Sequence, residues 1–186
     1  MSFNQPEDLT SKVKTLGQQY NENELQDELD RANRKLDSKV GREFVEYKQV
    51  ELEDQEDFNL DFSEILEFKN ARFLERNELI DSSNYTVDTA AGSISFSTSF
   101  AEDELSPGDK LKFEYVPVRF KDLELWLAVL SLIRTTSLQT REGETSISVE
   151  EAKTHVDEIT ESINGKSGNR RLRDHRPRFY PHRTTL

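Results

Sequence analysis

The chain has 186 residues, a formal net charge of −12 and 33% hydrophobic residues, so it can bury only a modest core alongside long polar segments. It contains no cysteine, which excludes disulfides, thiolate metal sites and cysteine nucleophiles. Residues 1–6 carry no secretory signal pattern, and the longest unbroken apolar run, Leu125–Leu130, is far shorter than the roughly 18 residues of a membrane span. We therefore expect a soluble, non-secreted protein with no membrane partner.

The charge is divided unevenly along the chain. Residues 166–186, which we call the arm, have seven lysines and arginines against one aspartate, a net +6, whereas residues 1–165 have 18 basic against 36 acidic residues, a net −18. The acidic body fits either an ordinary solvated surface or a high-salt cytoplasm, where a Debye length of about 3 Å at about 1 M salt screens its self-repulsion. The terminal basic block is typical of an interaction arm and indicates an anionic partner, which includes another copy of such a chain.

Two helices are predicted in the first 40 residues. The first covers about residues 7–16 and the second about residues 24–40. Asn23 with Gln26 forms a capping-box pattern before the second helix, and Gly41 is suited to end it. Its apolar residues recur at helical spacing and make one stripe, formed by Leu25, Leu29, Ala32, Leu36 and Val40.

From residue 44 the pattern changes to alternation, which predicts a β insertion over about residues 44–116. Its clearest element is a hairpin formed by Tyr85–Asp88 and Ser93–Ser97. The turn Pro107–Asp109 leads into another alternating strand, Leu111–Tyr115. The hairpin side chains expected on one shared face are those of Tyr85, Val87, Ile94 and Phe96.

Two further helices are predicted in the C-terminal third. The segment of about residues 120–134 has almost no polar face, which indicates a buried helix that packs on the stripe of the second helix. After a polar linker, Ser148 with Glu151 forms a capping box for an amphipathic helix, whose two heptads need a partner surface. The seam of this helix consists of Val149, Ala152, Val156, Ile159 and Ile163. The residues expected to pack in the core or between copies are Leu25, Leu29, Leu36, Leu123, Trp126, Leu127 and Leu130.

Catalytic patterns are nearly absent. His155 is interpreted as a surface residue of its helix and Trp126 as a core residue. Gly165–Ser167 resembles the end of a phosphate-binding loop but lacks its first glycine and follows a helix instead of a strand. The acidic run Glu51–Asp57 would attract divalent cations only loosely. We therefore predict no catalytic residue, no metal site and no cofactor.

The arm is the feature for which a binding role outweighs a passive one. Pro177 and Pro181 disfavour a regular helix and favour an extended path. Arginine binds carboxylates or phosphates bidentately and aromatic rings anchor in pockets, so nucleic acid and an acidic protein groove both satisfy this chemistry. A disordered solubilising tail is the third interpretation. The candidate contact residues are Arg170, Arg171, Arg173, Arg176, Arg178, Phe179, Tyr180 and Arg183.

The order of these elements resembles the head–tail connector (adaptor, or head-completion) family of tailed double-stranded-DNA viruses. The resemblance covers roughly residues 20–140 and is carried by the helix Asn23–Val40 with Gly41–Phe44 after it, the hairpin Asn84–Phe96, and the strand Leu111–Tyr115 running through Pro117 into the helix Leu123–Ile133. Similar hairpins occur in several virion proteins of phages, and the family has no catalytic motif to match.

The resemblance implies a ring, usually of twelve copies, that docks under the portal in the neck of the virion after assembly in the host cytoplasm. The implied partners are the portal protein, a tail or tail-completion protein, and the genome DNA that passes through the channel. The acidic composition suggests a haloarchaeal host. We therefore expect an α+β, connector-like domain at 1–140, a linker and amphipathic helix at 141–165, and an extended basic arm at 166–186 that grips the portal.

Two alternatives follow from the same residues. The arm would also suit a nucleic-acid-binding protein, although a phosphate backbone would repel a body of net charge −18. A similar hairpin would also suit another virion part, such as a tail-completion or baseplate protein.

Overall fold

A computed structural model of the chain describes residues 2–13, 19–136 and 147–166. Within these ranges the fold is mixed α+β, with five α-helices and two antiparallel sheets, which confirms the predicted class. The helices are α1 (Pro6–Lys12), α2 (Glu22–Val40), α3 (Thr98–Glu104), α4 (Val118–Thr136) and α5 (Val149–Gly165). The strands are β1 (Phe44–Gln49), β2 (Asp57–Asn59), β3 (Ile65–Phe73), β4 (Glu78–Leu79), β5 (Tyr85–Asp88), β6 (Ser93–Phe96) and β7 (Lys110–Pro117).

The start of α2 differs from the prediction. The Asn21 side chain accepts a hydrogen bond from the Glu24 N–H at 3.0 Å, and the Glu24 carboxylate accepts one from the Asn21 N–H at 2.9 Å. This box replaces the predicted pair of Asn23 and Gln26, because a glutamate at the third helical position also interacts favourably with the positive end of the helix. α2 therefore begins two residues earlier than expected, and it ends at Gly41, as predicted, with φ +88°.

α1 is shorter than the predicted helix of residues 7–16. It ends at Lys12, where Val13 is extended and donates its N–H to the Leu9 carbonyl at 2.9 Å. Residues 14–18 lie outside the described part of the chain.

The β insertion forms two sheets. The larger has the strand order β1-β7-β3-β4 and the smaller β2-β6-β5. In the smaller sheet Tyr85 pairs with Phe96 and Val87 with Ile94, so the predicted hairpin and its shared face are confirmed. The two sheets meet through aromatic rings, for example Phe58 of β2 and Phe113 of β7, whose centroids are 5.9 Å apart.

The insertion also contains a helix that the sequence analysis did not predict. α3 lies between β6 and β7 and has only seven residues, too few for a periodic pattern to emerge. Its Phe100 packs against Phe96 and Phe73, with ring centroids 5.5 and 6.2 Å away. The helix therefore covers the end of the insertion where β3 finishes.

The predicted buried helix is α4, which follows β7 without a loop and contacts both α2 and α5. α4 packs on the α2 stripe, as expected, and it also provides the partner surface that the amphipathic helix α5 was expected to need. The capping box of Ser148 and Glu151 is present at the start of α5. Ala152, Val156 and Ile163 of the seam are fully or almost fully buried in the same core. Burying a valine or isoleucine side chain, as at Val156 and Ile163, stabilises the fold by roughly 1.5–3 kcal/mol each.

Among the described residues, none of the helices combines the length and apolar character needed to cross a membrane.

Candidate functional site

The arm leaves the body at a defined place. α5 ends at Gly165, and the Lys166 ammonium lies 5.5 Å from the ring centroid of Phe62, in the segment between β2 and β3. All eight predicted contact residues of the arm, Arg170, Arg171, Arg173, Arg176, Arg178, Phe179, Tyr180 and Arg183, lie outside the described residues. The structure therefore describes the surface from which the arm departs.

A buried ion cluster lies beneath this departure point. The carboxylate of Glu46, in β1, is fully buried and accepts hydrogen bonds from the Tyr115 hydroxyl at 2.6 Å and from the Asp61 N–H at 2.9 Å. The Lys48 ammonium lies 2.5 Å from the other Glu46 oxygen and 3.2 Å from Asp61. One lysine thus forms ion pairs with two carboxylates. Glu46 and Lys48 meet because they occupy alternate positions on the same face of β1.

The cluster shifts the pKa values of its two carboxylates, Glu46 and Asp61, in opposite directions. Burial raises the pKa of Glu46 above its ordinary value, although hydrogen bonds from Asp61, Lys48 and Tyr115 act to lower it. Burial also acts to raise the pKa of Asp61, but the Lys48 charge and hydrogen bonds outweigh it, and the pKa is lowered. Burial and the neighbouring Glu46 charge raise the pKa of Tyr115. The Tyr115 hydroxyl therefore stays protonated at neutral pH and donates a hydrogen bond to Glu46.

Glu46 should make the protein less stable as the pH rises. Its folded-state pKa lies above the unfolded value of 4.5, so the folded state binds this proton more tightly than the unfolded state does. The stability that this proton contributes is present below the unfolded pKa and is lost as the pH rises through the folded-state pKa. In urea unfolding between about pH 4 and pH 8, we expect the stability of the wild type relative to Glu46→Gln to fall with increasing pH. The matched control is Glu67→Gln, whose carboxylate is 58% exposed. A relative stability that rises with pH would contradict the assignment.

A second buried carboxylate, Glu124 of α4, holds the N-terminal segment. It accepts hydrogen bonds from the Phe3 N–H at 2.9 and 3.0 Å, the Asn4 N–H at 2.8 Å, the Asn4 side chain at 2.8 Å and the Asn33 side chain at 2.7 Å. No lysine or arginine of the described residues forms an ion pair with it. Glu124 thus links residues near the N-terminus to α2 and α4 through hydrogen bonds from uncharged N–H donors.

A cleft of about 440 Å³ opens at the opposite end of β3, and we call it the acidic cleft. Its lining includes Phe73, Leu79 and Phe100 on the floor and Glu78, Asp103 and Glu104 on the rim. Leu79 belongs to β4, the edge strand of the larger sheet, and is 55% exposed. The cleft therefore combines open apolar surface with negative charge.

The remaining predicted residues are placed as follows. His155 is a half-exposed residue of α5, as expected, and its ring stacks on Trp126 with centroids 4.2 Å apart. In the described part of the chain, no cluster of three or more histidine, aspartate or glutamate side chains could hold a metal ion. The residues predicted to pack in the core or between copies, namely Leu25, Leu29, Leu36, Leu123, Trp126, Leu127 and Leu130, are all buried within the subunit. Packing between copies stays a prediction.

The ion cluster, the role of Glu124 as a buried acceptor and the acidic cleft were not predicted from the sequence. A weak signal existed for the cluster, since Glu46 and Lys48 alternate with the apolar Val45 on a strand that begins with Phe44. No local signal marks the acidic cleft, because its walls come from β3, β4 and α3.

No known protein-family model matches the chain, and a comparison with curated proteins found no relative.

Proposed function

We propose that this chain is a structural protein of a tailed virus, a head-to-tail connector whose copies form a ring that joins the portal to the tail and continues the DNA channel. The observation that carries the proposal is the order of the elements. A long helix precedes an antiparallel β insertion, and the last strand of the insertion continues without a loop into a buried helix. That order is the one on which the resemblance to connector proteins rests.

The packing of the helices supports a rigid ring wall. α4 is covered by α2 on one side and by α5 on another, so the bundle does not depend on the arm for its core. The two sheets lie between α2 and α4 in the sequence and so form one insertion. An insertion of this kind leaves the β surface available for contacts with neighbouring copies or with the tail.

The charge of the arm supports a protein partner. Seven basic side chains against one acidic one require an anionic acceptor, and arginine binds carboxylates bidentately. The body from which the arm departs has a net charge of −18, and this body would oppose close approach to a phosphate backbone. A portal surface that carries carboxylates meets the requirement at a lower charge density than duplex DNA, so the acidic body repels it less.

Deleting residues 167–186 should abolish docking on portal-bearing particles while the fold stays intact. Lys166 is kept because it lies over Phe62. The expected result is loss of co-sedimentation with the particles at an unchanged circular dichroism spectrum and melting temperature. The matched control deletes only residues 184–186, which carry no charged side chain and should leave docking unchanged.

Docking of the truncated protein with unchanged affinity would refute the assignment of the arm. A gel shift with naked DNA, without any portal, tests the nucleic-acid alternative. The connector proposal expects no arm-dependent shift at physiological salt. A shift that disappears on deletion of residues 167–186 would instead favour the DNA-binding function.

A further inference from the structure

We propose that the acidic cleft binds the aromatic end of the arm, residues 176–180, from a second copy of the chain. The proposal deepens the connector function, because it names a contact that would hold neighbouring copies together. Only the arrangement of the copies in a ring rests on that proposed function. The contact itself needs no portal. The arginines nearer the body, Arg170, Arg171 and Arg173, stay free for another acceptor.

The floor of the cleft is suited to an aromatic or proline side chain. The rings of Phe73 and Phe100 lie with centroids 6.2 Å apart, and Leu79 stands beside them with more than half of its surface exposed. Phe73 is buried and Phe100 is half-buried, so the open apolar surface of the cleft is supplied mainly by Leu79. Exposed apolar surface in a concave site is typical of interaction sites. The same residues on a flat or convex surface would not indicate an interaction site.

The rim of the cleft is suited to arginine. Glu78, Asp103 and Glu104 are all exposed and surround the apolar floor. Among the described residues, no lysine or arginine forms an ion pair with Asp103. Glu78 and Glu104 already face Arg76, so Asp103 is the rim carboxylate that remains for the two-pronged guanidinium contact that arginine makes.

The chain already shows how an arginine binds at this place. The guanidinium of Arg76 lies 3.9 Å from the ring centroid of Phe73, and its nitrogens lie 3.6 Å from Glu104 and 3.8 Å from Glu78. Stacking on an aromatic ring together with a carboxylate contact is the combination that favours arginine over lysine. The cleft thus has the chemistry for further arginines beside Arg76.

Residues 176–180 have the complementary chemistry. Their sequence, Arg-Pro-Arg-Phe-Tyr, places two positive charges next to two aromatic rings, and Pro177 restricts the peptide to extended conformations. A peptide that is already restricted loses less conformational entropy on binding. The arm is thus a matching ligand encoded in the same chain.

The positions of the arm and the cleft favour a second copy over the same copy. The arm departs over Phe62, just before β3, whereas the cleft lies where β3 ends at Phe73. The eight steps of β3 span about 26 Å, and the ten residues from Lys166 to Arg176 span at most about 33–36 Å. Binding within one copy would therefore take up about three quarters of the arm's full extension, while a neighbouring copy imposes no such constraint.

The absence of cysteine from the chain allows a direct test. Two full-length variants, one with Ser99→Cys in the cleft and one with a cysteine in the arm, are mixed under mild oxidation and analysed by non-reducing electrophoresis. Because Tyr180 belongs to the proposed ligand, the arm cysteine is placed instead at His182, just beyond it. We expect the mixed disulfide dimer of Ser99→Cys and His182→Cys to form several-fold more than the dimer between His182→Cys and the control Thr154→Cys, an exposed position of α5. Adding Asp103→Lys to the cleft variant should remove that excess, and adding Arg178→Glu to the arm variant as well should restore part of it.

A mixed dimer no more abundant than the control dimer would overturn the proposal. So would a Ser99→Cys, His182→Cys double variant that forms only an intramolecular disulfide at all protein concentrations, because the arm would then occupy its own cleft. Neither result involves a portal. A failed portal-docking experiment and a failed cross-linking experiment are therefore distinguishable.

Discussion

Replacing Gly92 with alanine should lower the free energy of unfolding by more than about 3 kcal/mol, at the upper end of single-substitution effects. Gly92 lies in the turn between β5 and β6 with φ +64°, a conformation that side chains disfavour. A Cβ at this position would lie 2.0 Å from the carbonyl oxygen of Phe62 and 2.8 Å from the Cα of Ser63. Both are backbone atoms, so no side-chain rotation can relieve the clash.

The close approach at Gly92 serves the architecture of the insertion. The Gly92 carbonyl accepts a hydrogen bond from the Leu60 N–H at 2.8 Å, which ties the hairpin to the segment after β2. The same segment carries Phe62, whose ring contacts Tyr115 and lies under Lys166. A displacement at Gly92 would therefore disturb the place where the arm departs as well as the sheet.

The matched control is Gly108→Ala. Gly108 also has a positive φ, +101°, but a Cβ there would meet no atom within 4 Å. Urea unfolding should show a loss of about 1 kcal/mol for this variant, which reports the backbone conformation alone. Equal losses for Gly92→Ala and Gly108→Ala would show that the close approach to Phe62 contributes nothing.

The parts of the fold that were predictable depend on local patterns. The α2 stripe, the β5–β6 hairpin, the buried α4 and the α5 seam each repeat at a period set by one element, so their existence followed from the spacing of apolar residues. Their ends were less certain because capping depends on single side chains. The start of α2 shows this, since two competing boxes lie within six residues and the one at Asn21 forms.

The parts that were not predictable depend on pairings between distant residues. In the sequence, Glu124 lies two residues after another acid, Asp122, at the start of a strongly apolar segment, and its partners Phe3 and Asn33 are 121 and 91 residues away. The acidic cleft likewise exists only because α3 brings Phe100 against Phe73. Interactions between elements therefore had to come from the three-dimensional structure.

Replacing Glu124 with alanine should cost about 2–4 kcal/mol, because several buried N–H donors lose their acceptor at once. The donors at stake are the backbone N–H groups of Phe3 and Asn4 and the side-chain amides of Asn4 and Asn33. The N-terminal segment is expected to detach, since release lets these groups bind water. Limited proteolysis should then cut near residues 2–5 in the variant at a protease concentration that leaves the wild type intact.

Glu124→Gln separates charge from shape in the same site. Glutamine offers one acceptor oxygen where glutamate offers two, so either the donors on Oε1 or those on Oε2 would face an NH₂ group. We therefore expect an intermediate loss of stability and partial protection from proteolysis. The matched control is Asp122→Ala on the same helix, whose carboxylate is 47% exposed and 4.0 Å from Arg119, and a surface pair of this kind contributes less than about 1 kcal/mol. If Glu124→Ala were no more costly than Asp122→Ala, the buried carboxylate would not be what holds the N-terminus to the helical bundle.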